Sequence, residues 1–259
     1  MIEANLGGRL GNQMFQYSVA RIIAEKNGYN FFVPDPKNPP YPYPDDPSHH
    51  ISNFFPDIEL GKNDGDIKRY HIENTSIQKF DPSIFDLLDY TKICGFWQSE
   101  KYLLGYEDKI KNWFKVEMDS DTKKMIKKFD INEYCYIHMR VGDYKDHGHW
   151  LLTEEYYSNA MSKIKEIKKD IKFLIITDDV ESSKDIFPDI EIISNEMMVD
   201  FKMLYYSKYC IISNSTFSWW ASWLSNKEIS VAPNYWLNHN KPELGFYPID
   251  IKSEKFIYV

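Results

Sequence analysis

The segment His138-Met139-Arg140-Val141-Gly142-Asp143 puts an imidazole, a cation and a carboxylate close together. His138 and Arg140 are two apart, so on a strand they share a face. An Arg where a strand runs out can grip a diphosphate through two parallel hydrogen bonds, and Asp143 can hold its guanidinium in place. A surface Arg–Asp pair closing the strand is the plain alternative. A second segment, Ser213-Asn214-Ser215-Thr216-Phe217-Ser218-Trp219-Trp220, passes from apolar strand residues straight into a helical pattern. Backbone N–H groups at a helix N-terminus favour an anion, and the hydroxyls of Ser215 and Thr216 add donors. Simple N-capping by Asn214 or Ser215, with Phe217, Trp220 and Trp223 as core, competes with this reading and can coexist with it. The third segment is Gly7-Gly8-Arg9-Leu10-Gly11-Asn12-Gln13. Gly8 and Gly11 let the backbone approach a ligand closely or take positive φ, and Asn12 and Gln13 can aim amides at a substrate. A tight turn explains those glycines equally well. In Thr177-Asp178-Asp179, a carboxylate at a strand end can accept from a guanine N–H or a ribose hydroxyl, or can cap the next helix.

These residues need strands and helices to position them. The chain opens as a strand over 1–6, a glycine loop over 7–11 and a helix over 12–26 with Phe15, Val19, Ile22 and Ile23 on one face. Asn27-Gly28 ends that helix, and a strand over 30–33 follows. Seven prolines then fall between Pro34 and Pro47, and 34–57 reads as a long irregular loop. A strand over 90–94, the loop Gly95-Phe96-Trp97-Gln98 and a helix from Ser99 to about Lys115 come next. The charged stretch 119–129 reads as a helical connector.

From 132 onward strands and helices alternate. Strands are expected over 133–139, 171–177, 191–194, 209–213 and 228–232, with helices between them. Inner strands are continuous apolar runs, as in Phe173-Leu174-Ile175-Ile176, which marks a parallel sheet covered on both faces. The alternation predicts a doubly wound α/β domain with its ligand site off the carboxyl ends of the strands. Two domains are expected, 1–125 and 126–259.

Composition narrows the class. Hydrophobic residues make up 43% and charged residues 27%, ordinary for a globular chain. The net charge of −8 argues against a general nucleic-acid binder. Cys94, Cys135 and Cys210 are too sparse for a disulfide framework and lack metal-ligand spacing, which points to a reducing, cytoplasmic setting. No apolar run is long enough for a transmembrane helix, and peripheral attachment to a membrane stays open. Aromatics reach 16%, a composition that suits stacking on sugars but equally suits a Tyr-rich core.

Taken together, GGRLGNQMFQYSVA, HMRVGDY and SNSTFSWWASWL resemble, in order, the signature segments of the bacterial α-1,2-fucosyltransferases of glycosyltransferase family 11. The resemblance spans nearly the whole chain. It implies a GT-B-type fold of two Rossmann-like halves, with the donor on the C-terminal half and the acceptor side on the N-terminal one. It implies GDP-fucose as donor, a galactoside O2 as acceptor, inversion at the anomeric carbon, and no cofactor. Arg140 would bind the diphosphate, supported by His138 and Asp143. Ser215, Thr216 and Phe217 would border the nucleotide, Asp178 would read the guanosine, and Asn12 would lie near the reacting centre beside Gly8 and Gly11. Where the family carries a second Arg, this chain has Val141, expected to face the other side of the strand. The rival readings are a metal-dependent transferase using Asp64 and Asp66, for which Asp119-Ser120-Asp121 is the other candidate triplet, and a non-catalytic glycan- or nucleotide-binding module. For a general base the sequence offers Asp45, Asp46, His49 and His50 in the long loop and singles out none.

Overall fold

The computed structural model describes residues 1–34, 47–237, 243 and 247–259. The Pro-rich stretch over 35–46, with Asp45 and Asp46, lies outside them. The chain folds as two compact units, Met1–Lys115 with His239–Ser253 and Val116–Asn238 with Glu254–Val259.

In the first unit, β1 (Ile2–Ala4) leads through the glycine loop into α1 (Leu10–Asn27) and β2 (Phe31–Phe32). After two 3₁₀ turns at Pro47–His49 and Ile51–Asn53 come β3 (Arg69–Ile72), β4 (Ile77–Gln78), β5 (Thr91–Cys94) and α2 (Glu107–Trp113). The sheet runs β2-β1-β5-β3, and every pairing is parallel. The expected face of α1 is right: Phe15, Val19, Ile22 and Ile23 are all buried, and so are Met14, Tyr17 and Ala20. A helix buried this far round is a core element, with Gly28 closing it at φ 70°. The helix expected from Ser99 is interrupted. The Ser99 hydroxyl caps a short 3₁₀ turn, Glu100–Tyr102, and Gly105 separates that turn from α2.

The second unit starts with α3 (Ser120–Lys128) and continues as β6 (Tyr134–Met139), α4 (Glu154–Ile167), β7 (Lys172–Thr177), α5 (Val180–Ile186), β8 (Glu191–Ile193), α6 (Met197–Tyr206), β9 (Tyr209–Ile211), α7 (Thr216–Trp223) and β10 (Ile229–Ala232). The chain then contributes β11 (Tyr247–Pro248), which pairs with β4 in the first unit, and β12 (Ile257–Tyr258), which pairs with β10 in the second. The sheet order is β12-β10-β9-β6-β7-β8, all parallel. One face of β6, Cys135, Ile137 and Met139, packs with Tyr157, Ala160 and Ile164 of α4. The opposite face carries Tyr136 and His138, with α6 and α7 alongside. Of the three residues that the capping reading places in the core, Trp220 and Trp223 of α7 are fully buried, together with Trp219, while Phe217 is half-buried. Both units are therefore α/β with parallel sheets, the architecture that each half of a GT-B fold requires.

Candidate functional site

In the second unit the candidate residues gather at the carboxyl ends of β6, β7 and β9. Arg140 follows β6. Its two terminal nitrogens lie 2.5 Å from Asp143 Oδ1 and 2.5 Å from Asp178 Oδ2, and its guanidinium lies over the Tyr144 ring at 5.5 Å. The two carboxylates differ in kind. Asp178 Oδ1 also accepts from the backbone N–H groups of Val141 at 3.0 Å and Gly142 at 3.2 Å. Asp178 thus locks the turn that carries Arg140. A Cβ at position 142 would stand 2.4 Å from Asp178 Oδ2, so only glycine admits this approach. Asp143 lies on the exposed side, its side chain 43% accessible. Capping of α5 falls to Asp179, which accepts from Ser182 N at 3.1 Å. Val141 is buried in the apolar core with Met139 and Tyr157, on the far side of the strand from His138.

His138 is buried, and its Nδ1 lies 2.8 Å from Ser213 Oγ. Its ring tilts against Phe217 with centroids 5.4 Å apart. Burial first, and then the Arg140 charge, bring its pKa down to about 3. It is therefore a neutral imidazole at physiological pH. His138 joins the end of β6 to the turn entering α7. That turn is tied further: Asn214 Nδ2 donates to Trp150 O at 2.7 Å, and the Tyr156 hydroxyl donates to Ile212 O at 2.5 Å. Ser215 is the N-cap residue of α7, in extended conformation, and its hydroxyl makes no capping bond. Capping by that side chain, one of the two sequence readings, is not used. Thr216 and Phe217 open the helix half-buried.

In the first unit Gly8 takes φ 71°, and a Cβ there would meet Asn12 Nδ2 at 2.5 Å. Gly11 is buried within the first turn of α1. Gln13 is a brace, because Nε2 donates to Gly8 O at 2.8 Å and to His49 O at 3.0 Å, while Oε1 accepts from Ile51 N at 2.9 Å. Gln16 repeats the pattern one turn on, accepting from Gly7 N at 2.8 Å and donating to Gly95 O at 2.9 Å. Asn12 Oδ1 accepts from Gln98 Nε2 at 3.0 Å. His50 is buried, and its Nδ1 accepts from Ser52 N at 3.3 Å, a turn-capping role.

The acidic triplets go elsewhere. Asp119 caps α3 through Thr122 N at 2.7 Å and pairs with Lys202 at 2.5 Å, and Asp64 accepts from Asn30 at 2.5 Å. Among the described residues, no three of His, Cys, Asp and Glu gather as metal ligands do, and no helix is long and apolar enough to cross a membrane. Two polar residues that sequence reasoning missed lie near the glycine loop, Gln98 and the buried Glu73. Gln98 sits in a loop that was recognised. Glu73 follows β3, where Arg69, Tyr70 and Ile72 are exposed and no apolar run announces the strand.

The parallel α/β sheets of both units match the fold that the three signature segments imply. Residues 1–244 match the family described as Glycosyl transferase family 11, and the chain belongs to it. It is a glycosyltransferase. An α-1,2-colitosyltransferase of Escherichia coli is 31% identical, with 93% of this chain and 94% of that protein covered. The O-antigen biosynthesis glycosyltransferase WbnK of Escherichia coli is 26% identical over 92% of this chain and 96% of its own. Among solved structures, the fucosyltransferase NodZ from Bradyrhizobium covers 86% of this chain and 92% of its own at 13% identity and a TM-score of 0.46.

Proposed function

We propose that this glycosyltransferase moves L-fucose from GDP-fucose to a hydroxyl of an acceptor glycan, O2 of a galactoside, with inversion and without a metal. The observation that carries the reading is the Arg140 guanidinium, aimed by Asp178 and joined through His138 to the first turn of α7. In the reaction the acceptor oxygen bonds to the anomeric carbon, the bond from that carbon to the diphosphate breaks and releases GDP, and the proton of the acceptor hydroxyl passes to solvent water. Negative charge grows on the diphosphate. Arg140 meets it with charge-assisted bonds, and the N-terminus of α7 with its dipole and the hydroxyls of Ser215 and Thr216. Asp143, the exposed partner, is the one that yields its place on Arg140 to the diphosphate. Neutral His138 adds no charge to the site. Asp178, expected to read the guanosine, also anchors Arg140. In the first unit, Asn12 takes part in transfer from its place over Gly8.

The relative named as a colitosyltransferase supports a second reading, in which the donor sugar is colitose, the 3-deoxy counterpart of fucose. One experiment separates the two. The protein is incubated with GDP-fucose, GDP-colitose and UDP-sugars, a panel of galactosides and excess EDTA, and products are read by mass spectrometry. Transfer from GDP-fucose with EDTA present is expected. Turnover of UDP-sugars alone, or complete loss with EDTA, overturns the reading.

A further inference from the structure

The carboxyl ends of β1, β5 and β3 hold a polar network that the proposed reaction does not by itself account for. Glu73, just past β3, is buried. Its Oε2 accepts from the backbone N–H groups of Phe96 at 2.7 Å and Trp97 at 3.1 Å. Between those amides and the next element the chain does something costly: Trp97 takes φ 54°, the left-handed region that bulky residues avoid. Its indole is fully buried and stacks on His71 with centroids 5.7 Å apart. Two amide bonds to a carboxylate and a buried indole hold this backbone in place against its strain. Gln98 comes next, and its Nε2 reaches Asn12 Oδ1.

We infer that Glu73 is a positioning residue for the transfer reaction, its buried carboxylate fixing the 95–98 turn so that Gln98 orients Asn12. The consequence for Asn12 is specific. With its oxygen engaged by Gln98, the amide has one orientation, and its nitrogen is the end that lies over Gly8. Asn12 is thereby set as a hydrogen-bond donor, suited to an oxygen of the substrate. An unanchored Asn would present either end. Gln16 braces the other side of the same turn through Gly95 O, so the glycine loop and the 95–98 turn are held as one piece.

This inference rests on the proposed part of Asn12 in transfer, and the test separates the two. The full chain is assayed with GDP-fucose and a galactoside, as wild type, Glu73→Ala, Glu73→Gln, Gln98→Ala, Asn12→Ala and the doubles with Asn12→Ala. Glu73→Ala and Gln98→Ala are expected to lower kcat about 10- to 100-fold with KM for GDP-fucose nearly unchanged, the scale of a small misplacement. Glu73→Gln, which keeps an acceptor oxygen, recovers part of the loss. In the Asn12→Ala background neither change lowers kcat further, because the effect passes through Asn12. Should Glu73→Ala not fold, Gln98→Ala carries the kinetic test alone. A crystal structure of Glu73→Leu, which keeps bulk but offers no acceptor oxygen, gives a reading independent of the donor: a displaced Gln98 supports the inference, and an unchanged Gln98–Asn12 pair overturns it. Wild-type kcat in Gln98→Ala, or full additivity with Asn12→Ala, also overturns it. Wild-type kcat in Asn12→Ala removes the reading of Asn12 itself, and this inference with it.

Discussion

The two units carry opposite kinds of side chain at the same edge of the same kind of sheet. At the carboxyl ends of β6, β7 and β9 the working groups are charged: Arg140, Asp143 and Asp178, with a helix dipole beside them. At the carboxyl ends of β1 and β5 they are amides: Gln13 and Gln16 bond backbone groups of neighbouring loops, and Gln98 and Asn12 bond each other. The charged edge is suited to a group that gains charge during reaction. The amide edge presents neutral, braced groups at its rim, suited to holding an uncharged partner in register. Each edge also buries one carboxylate held by amides of a nearby turn, Glu73 in the first unit and Asp200 in the second. The difference lies in what is exposed at the rim, and it can be tested at single residues.

The largest effect is expected at the charged edge. Arg140→Ala should leave a folded protein whose kcat falls by about 10²–10³, the cost of removing one group that stabilises a developing anion, on the order of 3–4 kcal/mol. Arg140→Lys should recover only part, because an ammonium lacks the planar fork that engages both Asp178 and a phosphate. Steady-state kinetics with GDP-fucose and a galactoside, beside a thermal melt, check this. Near-normal turnover in Arg140→Ala would make the strand-end segment structural.

The amide edge should break differently. Gln13 is 1% exposed and makes three bonds to backbone groups. Gln13→Ala leaves the buried Ile51 N and the part-buried Gly8 O and His49 O without this partner, at about 1–3 kcal/mol for the buried donor and less for each carbonyl. A fall in Tm of roughly 5–10 °C is expected for a chain of this size. Because no net charge is lost, the fall should be the same at low and high salt. A fall that shrinks with salt would mean that the edge works by charge after all.

Much of the charged edge was legible from the residues, and the reason is local. Apolar runs such as Phe173-Leu174-Ile175-Ile176 announce a two-sided parallel sheet, and its strand ends then mark where Arg140, Asp178 and Ser215 must fall. The placement of Val141 opposite His138 follows from strand alternation alone. The amide edge was legible only in part. Asn12 and Gln13 stand out beside glycines, but Glu73 and Gln98 act through pairings between segments far apart in sequence. The strand before Glu73 carries exposed Tyr70 and Ile72, so no periodicity reveals it. Asp178 shows the limit of residue type. A strand-end carboxylate reads equally as a ligand contact or as a helix cap; the cap falls to Asp179, and the part of Asp178 as an anchor shows only in its bonds to Arg140, Val141 and Gly142.

The buried carboxylate of the second unit sharpens the comparison through pH. Asp200 accepts from Asn195 N at 3.2 Å and Nδ2 at 2.7 Å, and burial pushes its pKa up to about 7. Its folded value exceeds its unfolded one. Between about pH 4 and 7 the folded state keeps a proton that the unfolded state has lost, so stability falls as pH rises through that window. Asp200→Asn cannot ionise. It should be the more stable protein above pH 7, by about 1–2 kcal/mol once the bond lost at Asn195 is allowed for, because its NH2 cannot accept, and the order should reverse toward pH 4, where protonated Asp200 keeps both bonds. Melts of both proteins from pH 4 to 8 measure it. A gap independent of pH would mean that Asp200 stays ionised when buried.

The smallest effect belongs to Thr216. The proposed donor phosphate lies at the first turn of α7, where backbone N–H groups and the hydroxyls of Ser215 and Thr216 are the donors. A neutral hydroxyl contributes about 0.5–1.5 kcal/mol net, so Thr216→Ala should weaken GDP binding only about 3- to 10-fold, measured by calorimetry. Val141 stands where the family has a second Arg, and it is buried in the apolar core, so on the proposed reading these neutral donors should carry more of the phosphate. Thr216→Asp separates the local contact from the electrostatics. A carboxylate at this position would stabilise the helix N-terminus and so leave Tm unchanged or raised, while repelling the diphosphate. Binding should fall far more than in Thr216→Ala, and added salt should restore part of it by screening. If Thr216→Asp binds GDP as tightly as Thr216→Ala, the phosphate does not sit at this helix. The charged edge would then consist of Arg140 and its two carboxylates alone.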